Sequence, residues 1–161
     1  MSAPTVAVER PVLTSAPRRF VLYRHRSVPH SELGETIGFT FGELYACVEA
    51  AGANPGGPPF VSYQPGSQPG VRWEIDICAP VAAPMVAPLC AEYIEMPACS
   101  VVSLLHVGPY DTLSNTYAQI EAFIAEQGLQ QAGPPREFYY SEPDVPPAEA
   151  RTLIEWPVNQ P

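Results

Sequence analysis

Apolar residues in this chain recur with two periods, one of two residues and one near 3.6, and the switches between them mark out its elements. Segments 5–13 and 19–26, rich in Val, Leu, Phe and Tyr, predict extended structure interrupted by the breaker Ser15-Ala16-Pro17. From about residue 35 to 51 the period lengthens. Ile37, Phe41, Leu44 and Val48 share one face of a helix, and Gly52 supplies its stop. A loop of Gly, Pro and Asn over 53–59 leads to strands at 60–64 and 71–79, joined by the turn 65–70. The same order then returns. Glu92–Met96, the breaker Pro97, a strand over 99–106 and the turn Gly108-Pro109 precede a helix from about 112 to 127, striped by Leu113, Tyr117, Ile120 and Ile124.

Each member of the second stripe lies 76 residues after its counterpart in the first, and so do the loop residues. Gly57-Pro58-Pro59 and Tyr63 are answered by Gly133-Pro134-Pro135 and Tyr139, and Gly52 by Gly128. The chain therefore reads as a duplicated β-β-α-β-β unit, giving an α+β fold of about eight mostly antiparallel strands and two long helices. Repeat 1 covers about 5–81, a Pro/Ala-rich connector about 82–88, and repeat 2 about 89–158. The seam between copies would be buried, so residues 1–161 are expected to form a single domain, with a ligand cleft at the pseudo-twofold seam.

Charge narrows the partners. A formal net charge of -9, with every positive side chain an Arg, argues against a phosphate-binding surface and hence against direct nucleic-acid binding. Cys47, Cys78, Cys90 and Cys99 form no CxxC pair and have no metal-type spacing with His25, His30 or His106, so no metal, no cofactor and free thiols are expected. No stretch approaches the roughly 20 apolar residues that span a bilayer, and no leader is apparent, so a cytoplasmic location is expected.

Strand alternation sorts the candidate site residues. In the fourth strand of repeat 1, Trp73, Ile75 and Ile77 oppose Glu74, Asp76 and Cys78. In the last strand, Thr152, Ile154 and Trp156 oppose Arg151, Leu153 and Glu155. If the apolar faces pack on the helices, Asp76 and Glu155 face the other side of the sheet, where a groove can form. A half-buried carboxylate needs a partner: either Arg24, Arg72 or Arg151, or a ligand that is cationic or donates hydrogen bonds. Tyr63 and Tyr139 are counterparts on neighbouring strands, and Phe41 and Tyr117 are counterparts on the helices. Rings of this kind around a carboxylate suit flat, apolar cations, at about 0.5–2 kcal/mol per contact. In His106-Val107-Gly108-Pro109-Tyr110, His106 and Tyr110 could act as base and acid, or simply form a turn.

These motifs resemble those of the GyrI-like small-molecule-binding family, which also serves as the effector-binding domain of AraC-type and MerR-type multidrug regulators. The resemblance covers nearly the whole chain. It rests on Gly57-Pro58-Pro59-Phe60-x-x-Tyr63, His106-x-Gly108-Pro109-Tyr110, Ala132-Gly133-Pro134-Pro135-Arg136-Glu137-x-Tyr139 and Arg151-Thr152-x-Ile154-x-x-Pro157-Val158. It implies a cleft for bulky, often aromatic and cationic compounds. In many members a Glu four residues before the final Pro-Val proline meets the ligand's charge. Here that position is Leu153, with Glu155 two residues on and Asp76 in the equivalent place of the first unit.

The expected function is binding of a hydrophobic, aromatic and cationic small molecule, for sequestration or sensing. The expected contacts are Glu155, Leu153, Asp76, Cys78, Tyr63, Tyr139, Tyr117, Phe41 and Tyr110. Two alternatives stand beside it: a hydrolase opening a cyclopropane ring of an alkylating compound, with Glu155, Tyr110 and His106 as catalytic candidates, and a gyrase-inhibitor-type protein partner.

Overall fold

Nine antiparallel strands and two helices make up the fold, seen in a computed structural model that describes residues 10–141 and 144–160. In chain order they are β1 (Val12–Ala16), β2 (Arg19–Pro29), α1 (Leu33–Ala50), β3 (Phe60–Tyr63), β4 (Arg72–Val81), β5 (Glu92–Met96), β6 (Cys99–Val107), α2 (Leu113–Glu126), β7 (Gln130–Gln131), β8 (Arg136–Tyr139) and β9 (Arg151–Asn159). The β-β-α-β-β order thus occurs twice, with β7 as an unexpected two-residue addition paired to the end of β9. Positions 5–9 of the first expected strand lie outside the described residues. Its far end extends further than the sequence suggested: Ser15 and Ala16 pair with Ser100 and Cys99, so only Pro17 interrupts the chain.

The sheet order β1-β6-β9-β8-β3-β4-β2-β5 is symmetric about the β8–β3 pair. Its outer strands are exchanged. β1 does not pair with β2, which follows it, but with β6 of the other half, and β5 pairs with β2. The cause is local. Each leading strand ends in a two-residue link, Pro17-Arg18 or Pro97-Ala98, that begins with a proline unable to donate to a hairpin ladder. Ala16 then lies opposite Cys99, and Arg19 opposite Met96, so both links pass from one half to the other at the same place.

Both helices lie on one face. Leu44 and Val48 of α1 pack on Ile75, Ile77 and Leu22, and Ile120 and Ile124 of α2 pack on Val102, Leu104 and Ile154. Complete burial of side chains this size contributes roughly 1.5–3 kcal/mol each, which offsets the ordering of the helices. Both helices end alike: Gly52 and Gly128 take φ of 71° and 66°, and the next amide donates back to Val48 or Ile124 at 3.0 Å. No helix is long and apolar enough to cross a membrane among the described residues.

The thiols are not all free. Cys47 of α1 and Cys90, in the segment before β5, form a disulfide across 43 residues, while Cys78 and Cys99 are unpaired. Cys47 lies one residue before Val48 of the helical stripe, and neither cysteine belongs to a recognisable spacing motif.

Because a side chain at positive φ is strained, Gly52→Ala and Gly128→Ala are each expected to lower stability by about 1 kcal/mol. Urea denaturation monitored by circular dichroism measures this as a lower midpoint with unchanged slope.

Candidate functional site

At the centre of the sheet, β3 and β8 pair antiparallel with Val61 directly opposite Glu137. These residues are themselves counterparts in the repeat, so the local twofold passes between them. The two flanking turns enforce the register symmetrically: the Tyr63 amide donates to the Pro135 carbonyl at 3.0 Å, and the Tyr139 amide to the Pro59 carbonyl at 3.2 Å. Alternation then sends Val61, Tyr63, Glu137 and Tyr139 to the helix face. Since α1 packs on β2 and β4, and α2 on β6, the two central strands form a floor between the helices.

Glu137 is 5% exposed. Its carboxylate accepts the Tyr117 hydroxyl at 2.6 Å and the Tyr139 hydroxyl at 2.9 Å, and the Tyr139 oxygen lies 3.1 Å from that of Tyr63. No Arg or His forms an ion pair with it among the described residues. Burial pushes the carboxyl above its ordinary range, against the pull of the hydroxyls of Tyr117, Tyr139 and Tyr63. Burial and the neighbouring carboxylate together raise the Tyr117 and Tyr139 phenols, which therefore stay protonated as donors.

Aromatic rings surround this acid. Phe41 and Tyr110 each meet Tyr139 edge-on, at centroid separations of 6.3 and 6.1 Å. Trp73 meets Tyr63 at 5.4 Å, and Trp156 meets Tyr117 at 5.9 Å. Tyr110, 56% exposed, forms the rim. The expected aromatic set of Tyr63, Tyr139, Tyr117, Phe41 and Tyr110 is therefore gathered in one place.

The expected acids lie on the reverse side of the sheet, with Leu153 and Cys78. Register places His25, Asp76, Ser62, Arg136 and Glu155 in one row across β2, β4, β3, β8 and β9. Glu155 is held by Arg19 through both oxygens, at 3.1 and 3.0 Å, and by Arg136 at 3.4 Å. Asp76 is met by His25 Nδ1 at 2.8 Å and by Gln64 at 3.1 Å. Neither acid uses Arg24, Arg72 or Arg151, the partners expected from sequence. Strand parity had put both acids on this face, but the partners come from strands whose pairing the sequence does not show. Leu153 packs beside Phe60 and Phe138, whose rings stack at 4.6 Å. Asp76 and Cys78 line a groove of about 760 Å³ on this face.

His106 is committed to its turn. Nε2 lies 2.9 Å from the Pro109 carbonyl and Nδ1 lies 2.7 Å from the Thr116 hydroxyl. The neutral form that donates from Nε2 and accepts at Nδ1 satisfies both contacts.

The residue that sequence reasoning passed over is Glu137. The usable signal was its place two residues before Tyr139, which puts both on one strand face, together with the Val that stands 76 residues earlier, at the matching position of the first half.

The architecture and its central acid among tyrosines define a class of small-molecule-binding domain. The chain belongs to the GyrI-like family, since the model of the GyrI-like small molecule binding domain matches residues 11–159. No curated protein matches it. Among solved structures, the EcmrR C-terminal domain superposes with a TM-score of 0.83 at 22% identity, over 96% of this chain and 100% of that one. The longer EcmrR chain, in a complex with DNA, is covered over 60% of its length. A hydrolase encoded by lin2189 from Listeria innocua gives 0.68 at 14% identity, over 93% of this chain and 92% of that. SAV2435 bound to tetraphenylphosphonium gives 0.61 at 12%, over 93% and 94%.

The raised carboxyl of Glu137 has a consequence for stability. Because its folded pKa lies above its unfolded one, the folded protein holds the extra proton; this contribution is present below the unfolded value and is lost as pH rises through the folded one. Urea midpoints compared from about pH 4 to pH 8 should therefore show stability of the wild type falling relative to Glu137→Gln as pH rises. Parallel profiles would mean that Glu137 ionises without cost.

Proposed function

We propose that the chain binds a bulky, aromatic, singly charged cation in the cleft between α1 and α2, as a sequestering or sensing module open to several drug-like compounds. The observation that carries this reading is Glu137, a buried carboxylate on the local twofold with hydroxyl partners but no cationic one among the described residues. A permanent organic cation would supply the missing charge without a proton, and each tyrosine face adds an attraction of about 0.5–2 kcal/mol. Trp156 Nε1, buried without a hydrogen-bond partner among the described residues, offers a donor to a polar group on the ligand. The structural neighbour bound to tetraphenylphosphonium supports the choice of probe. The repeated stripes and turns support an origin by internal duplication, in which the two halves supply matching aromatic walls and only one supplies the acid.

A second reading places hydrolysis in the same cleft. It is supported by the Listeria neighbour called a hydrolase, and by a carboxyl that burial raises above its ordinary range, which makes it a stronger base. Glu137 would take a proton from a water whose oxygen bonds to a ring carbon of a carbonyl-conjugated cyclopropane; the ring C–C bond breaks, its electron pair passes to the carbonyl oxygen, and Trp156 Nε1, which has no other acceptor among the described residues, would donate to that oxyanion.

Titration calorimetry separates these readings. Tetraphenylphosphonium should bind the wild type, and the neutral triphenylphosphine oxide at least tenfold more weakly, corresponding to a difference of about 1.4 kcal/mol or more. Glu137→Gln should lose that preference, whereas Glu155→Gln should lower stability and keep it. Equal affinity for the two probes would sink the proposal. With an alkylating cyclopropane compound in excess, ring-opened product beyond one equivalent establishes turnover, and product capped at one equivalent rejects the second reading.

A further inference from the structure

On the reverse face of the sheet, the groove of about 760 Å³ contains a cation whose charge is not matched. Arg136 is 8% exposed and lines this groove. Its carboxylate neighbour, Glu155, is already engaged at both oxygens by Arg19, whose guanidinium also lies 4.6 Å from the Phe138 ring centroid. Arg136 adds a single longer contact of 3.4 Å to the same carboxylate, and among the described residues its other terminal nitrogen meets only the sulfur of Cys99, at 3.8 Å. Two guanidinium groups thus share one carboxylate, leaving one buried positive charge in excess.

A second donor converges on the same spot. Ser62 is paired with Arg136 across β3 and β8, which places their Cβ atoms roughly 5 Å apart. Ser62 is buried, its oxygen accepts from Gln64 at 2.9 Å, and its own proton is left to donate. Asp76 stands two strands from Arg136, with backbones about 10 Å apart, and its hydrogen-bond partners are His25 and Gln64. It forms no ion pair with Arg136, and it would repel a ligand with several negative charges. Met96, Ile94, Pro97, Pro134 and Pro157 give the groove an apolar wall.

We propose that this groove is a second binding site, selective for an organic monocarboxylate with an apolar body, whose carboxylate accepts from Arg136 and Ser62. The site is independent of the cation cleft, since successive residues of β8 face opposite sides of the sheet: Glu137 belongs to one site and Arg136 to the other. The walls, contributed by β5, β6 and the turn before β8, hold the body of the ligand beside Cys99.

The probe is 2-naphthoate, compared with its neutral isostere 2-naphthamide, in calorimetric titrations of the whole chain. Loss of a charge-assisted hydrogen bond predicts at least tenfold weaker binding of the amide, and the same loss of naphthoate affinity in Arg136→Met, with Arg136→Lys in between. Glu137→Gln should leave naphthoate affinity within about twofold, since it faces away. In the wild type, saturating naphthoate should slow alkylation of Cys99 by iodoacetamide, read by mass spectrometry of that peptide. The proposal is overturned if naphthoate and naphthamide bind alike, if Arg136→Met keeps wild-type affinity, or if Cys99 is alkylated equally fast with naphthoate bound. Should Arg136→Met fail to fold, the isostere comparison and Cys99 protection decide the matter in the wild-type protein.

Discussion

The register of β3 on β8 is the constraint on which the rest of this molecule depends. These two four-residue strands alone join the halves of the sheet at its centre, and their pleat assigns every polar group to a face. Val61 opposite Glu137 puts one carboxylate among the tyrosines and one guanidinium, Arg136, on the reverse side. A slip of a single residue would exchange them, bringing the cation under the helices and the acid against the Arg19–Glu155 pair. The Gly-Pro-Pro turns before each strand prevent this, because each supplies a carbonyl to the tyrosine amide of the other half. The hydrogen bonds of the two halves match at this point, while the side chains differ: Val stands in one half where the acid stands in the other.

Electrostatics follow the same division. The chain has eight basic side chains, all arginines, and most of those described are engaged on the sheet's periphery or its reverse face. Arg18 meets Glu95, Arg24 and Arg26 share Glu43, and Arg19 and Arg136 share Glu155. None of these pairs reaches Glu137. The acid is thus kept from neutralisation by its own protein, and its burial raises its pKa instead.

Much of the architecture was legible because it is written in periodicity. The stripes Ile37–Phe41–Leu44–Val48 and Leu113–Tyr117–Ile120–Ile124 forecast both helices, and the glycine stops set their ends. The exchange of β1 and β5 was not legible, since pattern identifies a strand but not its neighbour. Nor was the Cys47–Cys90 bond, which depends on how the segment before β5 passes the helix. For the site, repetition pointed to the tyrosines, and alternation put Asp76 and Glu155 on the face away from the helices. What alternation within one strand could not give was the relation between strands: Tyr63 pairs with Ile75, so it shares the face of the core and not that of Asp76. Glu137 was obscured for a different reason. Its counterpart in the first half is Val61, so the matching of the two halves does not mark it as an acid position.

The exchanged edge strands bear on how the chain reaches this structure. Among the described residues Val12–Ala16 finds its neighbour only in Cys99–Val107, and Arg19–Pro29 has one of its two neighbours in Glu92–Met96. As the polypeptide leaves the ribosome, the first half can form its helix and its β2–β4 and β3–β4 pairs, but both its leading strand and one flank of β2 stay without partners until the second half is made. Contacts between such distant parts of the sequence slow folding and expose open strand edges in the meantime. The halves are alike in design, yet neither is finished without the other's first strand.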